Sequence, residues 1–164
     1  MSDLDPAHQQ ALVDEFVGGF AGYCGFTLTR LARGHVDSRL EIRPEHRNTD
    51  SAIIHGGVVA TMADHTAGCA GYSTVPLGMR LATLSFTIHF LRAAVGTELV
   101  CRARVVKPGK TIIVVDADVE AGHEGLRTLV SRATVTLIAA QGHARLRDDA
   151  AAPGAPHRSH ERRG

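Results

Sequence analysis

Tryptophan is missing from this chain and aromatic residues make up only 4% of its 164 positions, which removes the usual stacking platform for single-stranded bases. An excess of charge of one sign is missing too, since 18 Lys and Arg oppose 17 Asp and Glu. The stretch from His143 to Gly164 holds a surplus of two positive charges, so the remainder stands at about −1 and offers a polyanion no footprint. Cysteine is scarce and odd in number. Cys24, Cys69 and Cys101 stand far apart, a pattern that fits reduced thiols better than a disulfide framework or a Cys-based zinc site. No uninterrupted apolar run approaches the length of a bilayer span. The opening Met1-Ser2-Asp3-Leu4-Asp5-Pro6 is acidic and lacks the basic region and apolar core of a signal peptide. These omissions predict a cytoplasmic protein with neither nucleic acid nor membrane as its partner.

What is present is enough chain for one domain with a real core, and too little for two. Leu12, Val13, Phe16 and Val17 give Pro6 to Phe20 a helical spacing. Two β-like runs follow, Phe26 to Ala32 and His35 to Ile42, parted by Arg33-Gly34. From Met79 the period becomes two: Ala82, Leu84, Phe86, Ile88 and Phe90 alternate with Thr83, Ser85, Thr87 and His89. Three further strands are predicted at Glu98 to Val106, Thr111 to Glu120 and Leu126 to Ala140, joined by Lys107-Pro108-Gly109-Lys110 and Gly122-His123-Glu124-Gly125. Both connectors are turn chemistry, so antiparallel neighbours are expected, and the whole reads as a four-strand meander. Three segments result: a helical lead over residues 1–21, a domain over 22–141, and a disordered tail over 142–164.

Between the hairpin and the meander stands His55-Gly56-Gly57, followed seven residues later by Asp64. Adjacent glycines can open a helix whose first N–H groups lack partners and whose dipole favours negative charge, which suits a developing oxyanion. From Val58 to Tyr72 the only ionisable side chains of carboxylate or imidazole type are Asp64 and His65. A lone acid in such a helix needs a reason. A helix apolar around most of its circumference must be enclosed, and a curved antiparallel sheet encloses it economically. Gly57 and Asp64 lie about 10 Å apart along that helix. One carbonyl cannot touch both, because donors and base must each come within about 3 Å of the reacting atoms. If both serve one reaction they come from two chains, which predicts a homodimer, or a dimer of such dimers, with two shared sites. Thr61, Asp64, His65 and Gly68 share one helical stripe, the one expected at the dimer seam.

Asn48, the His55-Gly56-Gly57 triplet, Asp64, the alternating strand ending Phe90-Leu91-Arg92, and Lys107-Pro108-Gly109-Lys110-Thr111 together resemble the hotdog-fold acyl-CoA thioesterases of the phenylacetate-pathway type, from roughly Gly22 to Ala140. The resemblance implies an α+β hotdog fold, a curved antiparallel sheet wrapped around a long central helix. It implies hydrolysis of an acyl-CoA thioester to a carboxylic acid and free CoA, with no cofactor or metal. Asp64 would act as nucleophile or as base for water. The amide of Gly56 or Gly57 would polarise the carbonyl from the other subunit, His55 would hold that loop or the carbonyl, and Thr83 would orient the attacking water. CoA would run over Lys107, Pro108, Gly109, Lys110 and Thr111, with Phe90 and Arg92 nearby. Where the family's Asn stands six residues before the His, this chain has Thr49, with Asn48 one place earlier and Ala52 in place of a glycine. Asn48 and Thr49 therefore compete for that position.

Two rival functions remain. Asp50 and His55 echo the Asp and His of hotdog enoyl-CoA hydratases, although the Asn-Pro inside that motif is absent and Asp64 would be idle. A non-catalytic acyl-CoA sensor would want a DNA-binding helix pair, and the first 20 residues hold one short helix. Lys107 to Thr111 fails as a phosphate-binding loop because Arg104 occupies the place of the first glycine.

Overall fold

The computed structural model describes residues 4–123 and 125–141, so the tail expected from residue 142 lies outside the described residues. Helix α1 (Pro6–Val17) begins where Asp5 accepts hydrogen bonds from the N–H groups of Ala7 and His8, an ordinary cap reinforced by proline in the first turn. It stops short of Phe20 because Gly18 is extended and Gly19 turns to φ 53°. A second short helix, α2 (Gly19–Cys24), follows. Then come β1 (Thr27–Ala32), β2 (His35–Glu41), the long α3 (Gly56–Tyr72), β3 (Met79–Phe90), β4 (Glu98–Lys107), β5 (Ile112–His123) and β6 (Leu126–Gln141).

All six strands form one antiparallel sheet in the order β1-β2-β4-β5-β6-β3. The hairpins β4-β5 and β5-β6 are neighbours, as their turns predict. The meander is not complete, however: β3 pairs with β6 at the far edge and not with β4. The link from Leu91 to Thr97 carries the chain back across the sheet end, with Leu91 N–H bonded to Val130 C=O and Thr97 N–H to Gly122 C=O. Two-residue periodicity reports faces and not neighbours, so the sequence could not show this crossover.

Helix α3 lies against the inner face of the curved sheet, the hotdog arrangement. Val59, Met62, Ala63, Ala67 and Ala70 are buried in one core with Leu40, Leu99, Ile113, Val115, Val135 and Leu137. Small residues let the helix sit close, and a Cβ at Gly71 would collide with Leu137. Two buried hydroxyls of this interface satisfy each other and the helix: Thr66 donates to Met62 C=O at 2.7 Å and lies 2.7 Å from Ser38 Oγ, whereas the buried Ser131 Oγ on β6 has no partner among the described residues. Leu12 and Phe16 join the same core from α1, which thereby covers part of α3 that the sheet leaves open. All three cysteines are free, and burial pushes the thiols of Cys69 and Cys101 up to about 12. Both are inert at neutral pH.

The outer face of the sheet is polar and laced with ion pairs. Buried Glu98 is held by Arg39 and Arg127, while Arg102 pairs with Glu120 and Arg132 with Asp118. The β3 edge is different in kind, long and apolar, with Leu84, Phe86 and Phe90 at 58%, 40% and 55% exposure. No helix among the described residues is long and apolar enough to cross a membrane.

Candidate active site

The approach to α3 is a small structure of its own. Arg47 bridges to Ile54, Asn48 N–H bonds to Ile53 C=O at 2.9 Å, and His55 N–H bonds to His46 C=O at 2.8 Å. Asp50 turns this loop with φ 52°. The loop delivers His55 to the N-cap of α3, where its Nδ1 accepts from Gly57 N–H at 2.9 Å. An accepting Nδ1 assigns the neutral tautomer with the proton on Nε2. In the first turn Val58 N–H is bonded to His55 C=O. No partner for Gly56 N–H is found among the described residues. Gly56 lies under Phe90, whose ring would stand 3.5 Å from a Cβ there. With Asn48, Ile54, Val59 and Arg92 these residues line a cavity of about 240 Å³. Thr49 is exposed and not among its walls.

Asp64 stands two turns along α3, half-buried. Its Oδ1 accepts from Thr83 Oγ1 at 2.8 Å, which locks one carboxylate oxygen and leaves the other for a ligand or water. Simple alternation would put Thr83 on the opposite face of β3 from Phe90. The register shift between Thr83 and Ser85 changes the parity. Leu81 and Thr83 therefore face α3 before the shift, and Ile88 and Phe90 after it. A bulge is invisible to a period-two reading.

His65 is the next residue. Its ring stands 4.5 Å from that of Phe16 and 5.9 Å from that of Phe26, and its Nε2 lies 3.0 Å from Phe16 C=O. Burial holds it below its ordinary value although the Phe16 carbonyl and the charges of Asp64 and Glu15 pull the other way. The neutral imidazole thus ties the end of α1 to α3 beside the carboxylate. Leu12, Glu15, Phe16, Gly68 and Tyr72 are among the residues that line, with Asp64 and Thr83, a second cavity of about 150 Å³. The contribution of α1 to this cavity was not read from the sequence. Its signal was the pair Leu12 and Phe16, four residues apart on one helix face.

Two clusters of expected site residues therefore occupy different places in one chain. Asn48, His55, Gly56, Gly57, Phe90 and Arg92 gather at the start of α3, while Asp64 and Thr83 meet in its middle. Lys107, Pro108, Gly109, Lys110 and Thr111 form the β4-β5 turn, beyond the far end of β4 from the Leu91–Thr97 link. The ten residues of β4 put about 30 Å between those ends of the sheet. Arg92 is fixed where it stands, donating to Leu129 C=O at 2.7 Å.

Known proteins resolve what such a fold belongs to. Residues 52–128 match the Thioesterase superfamily. Human acyl-coenzyme A thioesterase 13 is 30% identical over 118 residues, 71% of this chain and 76% of that protein. A thioesterase family protein from Silicibacter pomeroyi superposes with a TM-score of 0.78 at 28% identity, covering 82% of this chain and 99% of the other. A Streptococcus mutans protein solved bound to acetyl CoA superposes with a TM-score of 0.62 at 28% identity, covering 71% and 89%. The chain belongs to the thioesterase superfamily, on the hotdog fold. It is a thioester hydrolase.

Proposed function

We propose that the protein hydrolyses acyl-CoA thioesters at two equivalent sites, each shared between the chains of a homodimer. The observation that carries this reading is the Thr83–Asp64 hydrogen bond beside a cavity in the middle of α3, about 10 Å from the Gly57 amide that His55 caps and about 12 Å from the open Gly56 amide. Neither half can finish the reaction alone. A two-fold axis at the β3 edge would bring each half to the other chain's complement. That edge needs covering, since a long exposed apolar edge strand invites pairing. Tyr72 Oη already accepts Leu81 N–H at 2.9 Å, so pairing with a second β3 would use residues beyond Leu81. The same axis would bring the partner's start-of-helix groups toward the lysine turn, so that CoA contacts both chains. The names of the human and Streptococcus relatives support CoA as the thiol.

In the proposed reaction the thioester oxygen points at the Gly56 and Gly57 amides of one chain, which stabilise the oxyanion. Asp64 of the other chain takes a proton from water through the oxygen that Thr83 leaves free, and the hydroxyl adds to the carbonyl carbon. Collapse breaks the C–S bond. The acid leaves, and the CoA thiolate recovers the proton. His55 holds Gly57 in place through Nδ1 and yields that amide when the oxyanion forms. The test is release of free thiol from a panel of saturated acyl-CoAs, alongside hydration of an enoyl-CoA. Thiol release with one acid formed per thiol is expected. Hydration without thiol release would replace this reading by the hydratase one.

A further inference from the structure

We infer that Gly68 is a specificity-determining residue, whose missing side chain keeps open an acyl channel running along α3 from Asp64 to Tyr72; the inference rests on the thioesterase reading above. A glycine inside a helix is costly relative to alanine, so each one calls for a packing reason. Gly71 has one in Leu137. Gly68 has none: a Cβ built there meets nothing within 4 Å. The space it faces is the cavity that also exposes Asp64 and Thr83.

Asp64, Gly68 and Tyr72 recur every four residues on one helix face, so they form a row about 12 Å long. Leu12 and Tyr72 also line a further cavity of about 260 Å³ that opens toward Leu77, Met79 and Arg80. Space therefore widens away from the carboxylate. An acyl group whose carbonyl sits at Asp64 would pass Gly68 with the carbons beyond its first two and end beside Leu12, Leu77 and Met79, in a space whose rim also carries Glu15 and Arg80. Acetyl would not reach the glycine. The ligand class is an acyl chain longer than acetyl, laid parallel to the helix between α1 and β3.

The experiment compares wild type, Gly68→Ala and Gly68→Leu for kcat and KM on acetyl-CoA and octanoyl-CoA, with melting temperature and dimer mass measured on each protein. One methylene more or less in an apolar pocket changes discrimination by roughly 10- to 200-fold. The octanoyl-to-acetyl ratio of kcat/KM should fall by about tenfold or more in Gly68→Ala and further in Gly68→Leu, while Gly68→Ala melts no lower than wild type. An unchanged ratio in a folded, dimeric Gly68→Ala would overturn the inference and leave the thioesterase reading standing. Loss of the dimer in Gly68→Ala would overturn it as well, by making the glycine a seam contact. If wild type releases thiol from neither substrate nor any other acyl-CoA, the hydrolase reading falls and takes this inference with it.

Discussion

The start of α3 and its middle carry the two halves of the proposed chemistry, and they are built in opposite ways. At the start, the contacts that aim the backbone are local: His55 caps Gly57 two residues on, and the loop behind it closes through Arg47, Asn48, Ile53 and Ile54, while Phe90 and Ala94 reach it from β3 and the link that follows. In the middle, the partners of the polar side chains at Asp64 and His65 are distant. Asp64 takes its hydrogen bond from Thr83 on the edge strand, and the adjacent His65 leans on Phe16 from the first helix. Backbone donors need only a turn and a cap to be pre-aimed, whereas a carboxylate inside an apolar helix needs partners from elsewhere to be held and desolvated without being lost. A site that needs both must draw on short-range and long-range order together.

The comparison is broken most directly at the carboxylate. Asp64→Asn keeps size and most hydrogen bonding but removes the base, so kcat should fall by about 10² to 10⁴ with the fold retained; a folded variant turning over near the wild-type rate would end the assignment. At the other half, a Cβ on Gly57 would stand 2.9 Å from His55 Nδ1, displacing the imidazole and the amide it holds. Gly57→Ala should cost about 10² to 10³ in kcat, the usual loss of one oxyanion donor, with binding of an uncleavable CoA thioether preserved. Unchanged turnover would place the donor elsewhere.

Thr83→Val tests whether the distant partner matters as much as the local one. A hydrogen bond to a charged group is worth about 1.5–3 kcal/mol, so a loss of about 10- to 10²-fold in kcat is expected. A rate within twofold of wild type would show that Asp64 holds its place unaided. Sharing between chains is the next test. Asp64→Asn and His55→Ala, separately tagged and refolded together, should give a purified heterodimer with one intact site and about half of wild-type activity, and an unsorted mixture with about a quarter. Should the heterodimer stay dead while refolded wild type recovers, the two halves do not meet across chains.

A control outside both regions has the smallest effect on rate. Glu98 is held below its ordinary value by hydrogen bonds from Arg127 first and Arg39 second, against the desolvation that raises it. Its stabilisation is present above the unfolded value of about 4.5 and is lost as pH falls through the lower folded one. His65, also lowered, adds an earlier step: the folded chain resists its protonation, so stability declines as pH drops below about 6.5. Acid unfolding of Glu98→Gln should lose the lower step, keep the upper one and cost about 2 kcal/mol at neutral pH, with turnover unchanged. A profile without the upper step would show that His65 does not tie α1 to α3.

The sequence by itself determined what depends on neighbours along the chain. The Gly-Gly helix start, the length of α3, the hairpins β4-β5 and β5-β6, and the isolation of Asp64 in an apolar helix are all consequences of local sterics, turn chemistry and periodicity. The 10 Å between Gly57 and Asp64 was legible too, because helical rise is constant. Only the tertiary structure decided that β3 crosses to pair with β6, that a bulge turns Thr83 to the same face as Phe90, and that α1 lies beside Asp64 with Gly68 open to the space between them. Each of these joins residues distant in sequence, and a one-residue slip in register or a crossover between edges leaves the local hydrophobic pattern nearly unchanged while it reassigns every partner.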